Sequence, residues 1–146
     1  MQITHLDHVV LTARDIAATV KFYTEVLGMT HVVFDEHYDA LHFGAQKINI
    51  HPYRAEYLPH ADLPFPGTAD FCFVAEGEIA AVVETLRKRG CPIELGPVRQ
   101  TGAHGPMWSV YLRDPDRNLL EIACYGEHPG RPRRRTFAPR SPTSAP

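Results

Sequence analysis

The sequence contains no apolar run approaching the roughly 20 residues that a membrane-crossing helix requires. Its three cysteines, Cys72, Cys91 and Cys124, form no close pair and no metal-type spacing. That argues against a disulfide framework and against a cysteine-held zinc motif, so reduced thiols are expected. An excess of charge of either sign is lacking too, with 15 Lys and Arg against 17 Asp and Glu. Neither a membrane nor nucleic acid is therefore expected as a partner. No charged-then-apolar segment opens the chain, and cytoplasmic residence is the expectation. What is present is a 146-residue chain, 44% hydrophobic, long enough for a real core.

The last part of the chain differs in composition from the rest. From Gly126 it is dominated by proline, small polar residues and Arg131, Arg133, Arg134, Arg135 and Arg140. A disordered tail is expected over residues 127–146, after a single domain spanning 1–126.

Within that domain the chain states one pattern twice. His5–Thr12 is rich in apolar residues on both strand faces, predicting a strand covered on both sides. Asp15 then stands as an N-cap, Ile16, Val20, Tyr23 and Leu27 form one helical face, and Gly28 stops the helix. Three short β-prone stretches follow, His31–Asp35, Ala40–Phe43 and Lys47–His51. After a linker the order returns: strand Asp70–Ala75, helix Glu78–Lys88, then strands Pro92–Val98, Met107–Leu112 and Asn118–Cys124. Gln100–Pro106 reads as a mobile glycine-rich loop at a pocket mouth, and Asp114–Asn118 as a tight turn. The fold class predicted is α+β: two tandem βαβββ modules, about 4–53 and 68–125, joined by linker 54–67. Their strands form a curved mixed sheet around a cleft.

Four side chains with metal-ligating groups fall at apparently matching places in this repeat. His8 and Asp70 lie at the first strand of each module, and His51 and Glu121 at the last. Polar groups inside apolar strands are costly to bury unless they are paired or coordinated. A divalent ion held by His8, His51, Asp70 and Glu121 satisfies all four, and imidazole with carboxylate suits Zn, Ni, Mn or Fe(II).

The runs Leu6-Asp7-His8-Val9-Val10, Phe22-Tyr23-Thr24-Glu25-Val26-Leu27-Gly28-Met29 and Tyr111–Glu121 resemble the vicinal oxygen chelate superfamily. That superfamily includes glyoxalase I, fosfomycin-resistance thiol transferases, extradiol dioxygenases and bleomycin-binding proteins. The likeness covers about residues 4–125. Through Phe43–His51 and Gly96–Pro106 it is nearest to small glyoxalase-domain-containing proteins. The resemblance matches His8 and Glu121 to family ligands. It departs at His51, where glyoxalase I has glutamate, and at Asp70, where histidine is usual.

This resemblance implies a glyoxalase I-like lyase or isomerase that uses a divalent metal (Ni, Zn, Mn or Fe) on a small-molecule substrate. Glu121 and Asp70 are then the candidate catalytic carboxylates, and Tyr53, Arg54, Tyr57, His104 and Tyr111 the candidate substrate contacts. Two alternatives stand beside it: an Fe(II) extradiol ring-cleaving dioxygenase using His8, His51 and Glu121, and a metal-free small-molecule binder. Relatives of this size commonly dimerise, so a homodimer is implied as well.

Overall fold

The computed structural model describes residues 1–126, and the expected tail lies outside the described residues. Ten elements follow in chain order: β1 His8–Ala13, α1 Ile16–Glu25, β2 Thr30–Phe34, β3 Tyr38–Phe43, β4 Gln46–Pro52, β5 Asp70–Val74, α2 Ile79–Lys88, β6 Leu95–Gly102, β7 Gly105–Arg113 and β8 Leu119–Tyr125. They form two four-stranded mixed sheets, ordered β1-β4-β3-β2 and β5-β8-β7-β6. In each, the first strand runs parallel to the last, and the remaining neighbours are antiparallel. The two βαβββ modules are therefore real, and their sheets are curved and open.

Local chemistry sets the helix ends. The Asp15 carboxylate accepts from the Ala18 amide at 3.0 Å, which satisfies one of the donors left free at the start of α1. Arg87 and Lys88 lie in the last turn of α2, where the helix dipole favours positive charge. Gly28 and Gly90 follow the two helices at φ +76° and +67°, the left-handed conformation that glycine adopts without a steric cost.

One face of each sheet packs on its helix. Leu11, Ile48 and Ile50 from the first module join Leu120, Ile122 and Cys124 from the second in a single core. The modules are stitched together by Phe43 edge-on to Phe73 and by Arg89, whose guanidinium donates to the Val26 carbonyl at 2.7 Å. A buried polar network does the same: Tyr23 on α1 donates its hydroxyl to Asp114, 3.1 Å away at the end of β7. Asp114 also accepts from the backbone and side chain of Asn118, whose own carbonyl oxygen holds the Ala69 amide.

Three expectations need correction. The first strand is an edge strand whose open face is uncovered over its first half, so Val10 is 48% exposed although Thr12 on the same face is buried. The segment expected to be a mobile loop, Gln100–Pro106, is largely strand: β6 runs to Gly102 and β7 begins at Gly105, leaving a tight hairpin. Gly105 at φ +113° lets the chain turn there, and the Tyr125 hydroxyl accepts from the His104 amide at 3.2 Å. The second strand of the second module also starts later than expected, at Leu95 rather than Pro92.

Candidate functional site

Strand alternation decides what each sheet presents on its open face. Ile48 and Ile50 turn toward the helix, leaving Asn49 and His51 on the other side of β4. Leu120, Ile122 and Cys124 turn inward from β8, leaving Glu121 and Ala123 on the open side.

Register then fixes which residues correspond. His8 pairs with Lys47 and Val10 with Asn49, whereas Asp70 pairs with Leu119 and Cys72 with Glu121. His8 thus corresponds to Asp70, Asn49 to Glu121, and His51 to Ala123. The expected match between His51 and Glu121 is displaced by two residues. The partner of His51 on β1 is Thr12, four residues along from His8, roughly 13 Å at strand rise. Asn49, outside the four candidate ligands, is the true counterpart of Glu121. Asn49 Oδ1 and Glu121 Oε1 are both buried with no hydrogen-bond partner.

His8 and Asp70 come to one crevice of about 250 Å³ between β1 and β5, shared with Cys72 and Lys47. The His8 ring meets Asp7 Oδ1 through Nδ1 at 2.7 Å. A carboxylate only accepts, so Nδ1 carries the hydrogen and the neutral ring keeps a free lone pair on Nε2, as in histidines oriented for metal binding. That bond also holds the Asp7 carboxyl below its ordinary value.

Glu121 lies beside Cys72 on one flank and Tyr111 on the other. Burial and then the Glu121 charge push the Cys72 thiol up to about 11. The same two causes, in the same order, raise the Tyr111 phenol. Gln100 donates to the Tyr111 hydroxyl at 2.9 Å and fixes its position.

Among the described residues, no three His, Cys, Asp or Glu side chains of one chain stand close enough together to hold a metal ion. His51 lies apart from the others, in a recess on the first sheet with Phe34, Tyr38, Asn49 and Tyr57. Of the candidate substrate contacts, Tyr111 adjoins Glu121 and Tyr57 lies beside His51. Tyr53 packs instead with Arg14, Arg54 and Phe65, and His104 sits at the β6–β7 turn against Tyr125.

Burial pushes the His51 imidazole below its ordinary value, against the opposing pull of Glu56. The unfolded chain consequently takes up a proton first as pH falls through about 6.5. Stability from this residue is complete above that pH and is lost as pH falls toward the lower folded value. An NMR titration should find the His51 ring titrating below 6.5, and denaturation midpoints should fall less between pH 7 and 5 in His51→Gln.

The donors present fit a divalent ion in chemical type. They are the His8 imidazole with a free Nε2 and the carboxylates of Asp70 and Glu121, the latter with one buried oxygen that has no partner.

Residues 5–122 match the family model described as the Glyoxalase/Bleomycin resistance protein/Dioxygenase superfamily. The chain is 49% identical over 125 residues to the virulence protein STM3117 of Salmonella typhimurium, covering 86% of this chain and 87% of that one. The crystal structure of that protein superposes with a TM-score of 0.85, at 48% identity over 86% of this chain and all of the other. The glyoxalase domain-containing protein RDO1 of Mycosarcoma maydis is 45% identical over 125 residues, 86% of this chain and 70% of its own. A lactoylglutathione lyase from Agrobacterium tumefaciens shares the fold, with a TM-score of 0.65 at 23% identity over 85% of this chain and 96% of the lyase.

Proposed function

The chain belongs to the glyoxalase/bleomycin resistance protein/dioxygenase superfamily, and on that footing we propose that it is a metal-dependent, glyoxalase I-like lyase or isomerase acting on a small oxygen-chelating substrate. The observation that carries this reading is Glu121, a carboxylate on an open sheet face with one buried oxygen lacking any partner. A buried polar atom in that state is costly, and a bound group that satisfies it removes the cost.

His8, Asp70 and Glu121 are the residues proposed to hold the ion. The ion's chemistry is that of a Lewis acid, polarising adjacent substrate oxygens. Glu121, or Asp70 as the other candidate base, would take a proton from the carbon beside the substrate carbonyl and give the same proton back to the neighbouring carbon, in general acid–base fashion. Tyr111, held by Gln100, orients the substrate from the strand next to Glu121.

A homodimer is part of the proposal. Val10 on β1 and Val74 on β5 are 48% and 61% exposed, and both belong to edge strands of open sheets. A second copy covering these faces buries that apolar surface and completes the ligand set. The ring-cleaving alternative is the weaker reading, because its two histidines are held four residues apart by the β1–β4 register.

The test is elemental analysis of protein purified without added metal, followed by turnover of a hemithioacetal with the ion found. Wild type should carry a stoichiometric divalent metal, and His8→Ala and Glu121→Ala should fall to background. Metal-free wild type that gains no activity with added Ni, Zn, Mn or Fe would refute the proposal and leave a small-molecule binder.

A further inference from the structure

We propose that the recess on the open face of the first sheet binds a single uncharged aromatic ring carrying a hydrogen-bond-donating substituent. The recess encloses about 220 Å³. That is below the roughly 300–1,000 Å³ typical of drug-sized ligands, and it suits one ring rather than several.

Its walls are aromatic. Phe34 stacks on Tyr38 at 5.2 Å between centroids, and Tyr57 stands edge-on to Tyr38 at 4.4 Å and to His51 at 5.1 Å. Such surfaces favour a flat ring by offset or edge contact. The Tyr57 wall is held in place by its hydroxyl, which donates to the His37 carbonyl at 3.1 Å.

Its floor has unmet hydrogen bonds. His51 is only 8% exposed, lines the recess and has a buried Nδ1 with no partner. Asn49, two residues earlier on the same strand face, lines it too and has a buried, unpartnered Oδ1. The two positions are roughly 7 Å apart along the strand. A carboxamide oxygen only accepts, whereas a ring nitrogen donates or accepts according to tautomer. A hydroxyl on the ligand ring does both.

The surrounding charge selects against ions of either sign. Lys47 holds its ammonium 4.3 Å over Phe34, which disfavours an organic cation. Glu56, whose charge acts on His51, disfavours an anion. As an anchor for the ring-bearing end of a substrate, the recess rests on the reaction proposed above. As a binding site it does not.

The test is calorimetric titration of the full chain, without added metal, with phenol, anisole and cyclohexanol. Anisole keeps the ring and loses the donor, and cyclohexanol keeps the donor and loses the ring. Phenol should bind saturably, at least fivefold more tightly than either comparator. His51→Ala and Tyr57→Ala should each weaken phenol at least fivefold. Tyr57 lies on the linker outside the strands, so its variant stands even if His51→Ala fails to fold. Absence of saturable phenol binding, equal binding of a comparator, or undiminished binding to Tyr57→Ala would overturn the inference. Because the measurement needs neither metal nor turnover, its failure is distinct from failure of the reaction.

Discussion

Glu121→Gln should lower turnover of the metal-loaded protein by at least a hundredfold while leaving the fold intact. Proton transfer by a positioned side chain contributes roughly 10²–10⁴-fold, and the carboxamide keeps the shape but cannot act as a base. A second readout is independent of activity. The Glu121 charge contributes to the raised Cys72 thiol, second to burial. Its removal should bring that thiol down from about 11 and speed its alkylation at pH 8. Unchanged turnover together with unchanged thiol reactivity would show that the carboxylate does not occupy the place assigned to it.

Asp114→Ala should be the most destabilising single change outside the apolar core. Asp114 is 3% exposed and accepts from the Tyr23 hydroxyl and from the Asn118 amide and side chain. Three donors lose their acceptor in surroundings where water does not replace it. Each loss costs about 1–3 kcal/mol and the terms are not fully additive, so about 3–5 kcal/mol is expected from urea denaturation. Asp114→Asn keeps one carbonyl oxygen and should lose about half as much. A midpoint for Asp114→Ala within experimental error of wild type would show that the network carries no stability.

The repeat, the helix starts and the helical core faces could be read directly, because apolar periodicity and caps are local signals. Asp15 did cap α1, and Tyr23 was correctly placed on its buried face. The site was legible only as far as strand alternation reaches. Asn49 and His51 share one face, so parity cannot choose between them. The choice is made by pairing: Val10 opposite Asn49 and Cys72 opposite Glu121. Those partners are some 40–50 residues apart in the chain, and no local pattern encodes that register. The β6–β7 hairpin was missed for a related reason. Glycines at both ends of a two-residue turn look in composition like the glycines of an open loop. The Asp114–Asn118 turn was visible, but nothing local tied it to a phenol on the first helix.

That phenol gives the chain an order of assembly. As the polypeptide is synthesised, every strand of the first module is complete once Pro52 is made. The acceptor for Tyr23 arrives only with Asp114, 91 positions after it. Until then the early half lacks that acceptor and the apolar partners of the second module, and it gains its full stability only when the late half docks. Loss of the second module by truncation or proteolysis therefore destabilises the first as well, and the two halves are expected to melt in one transition.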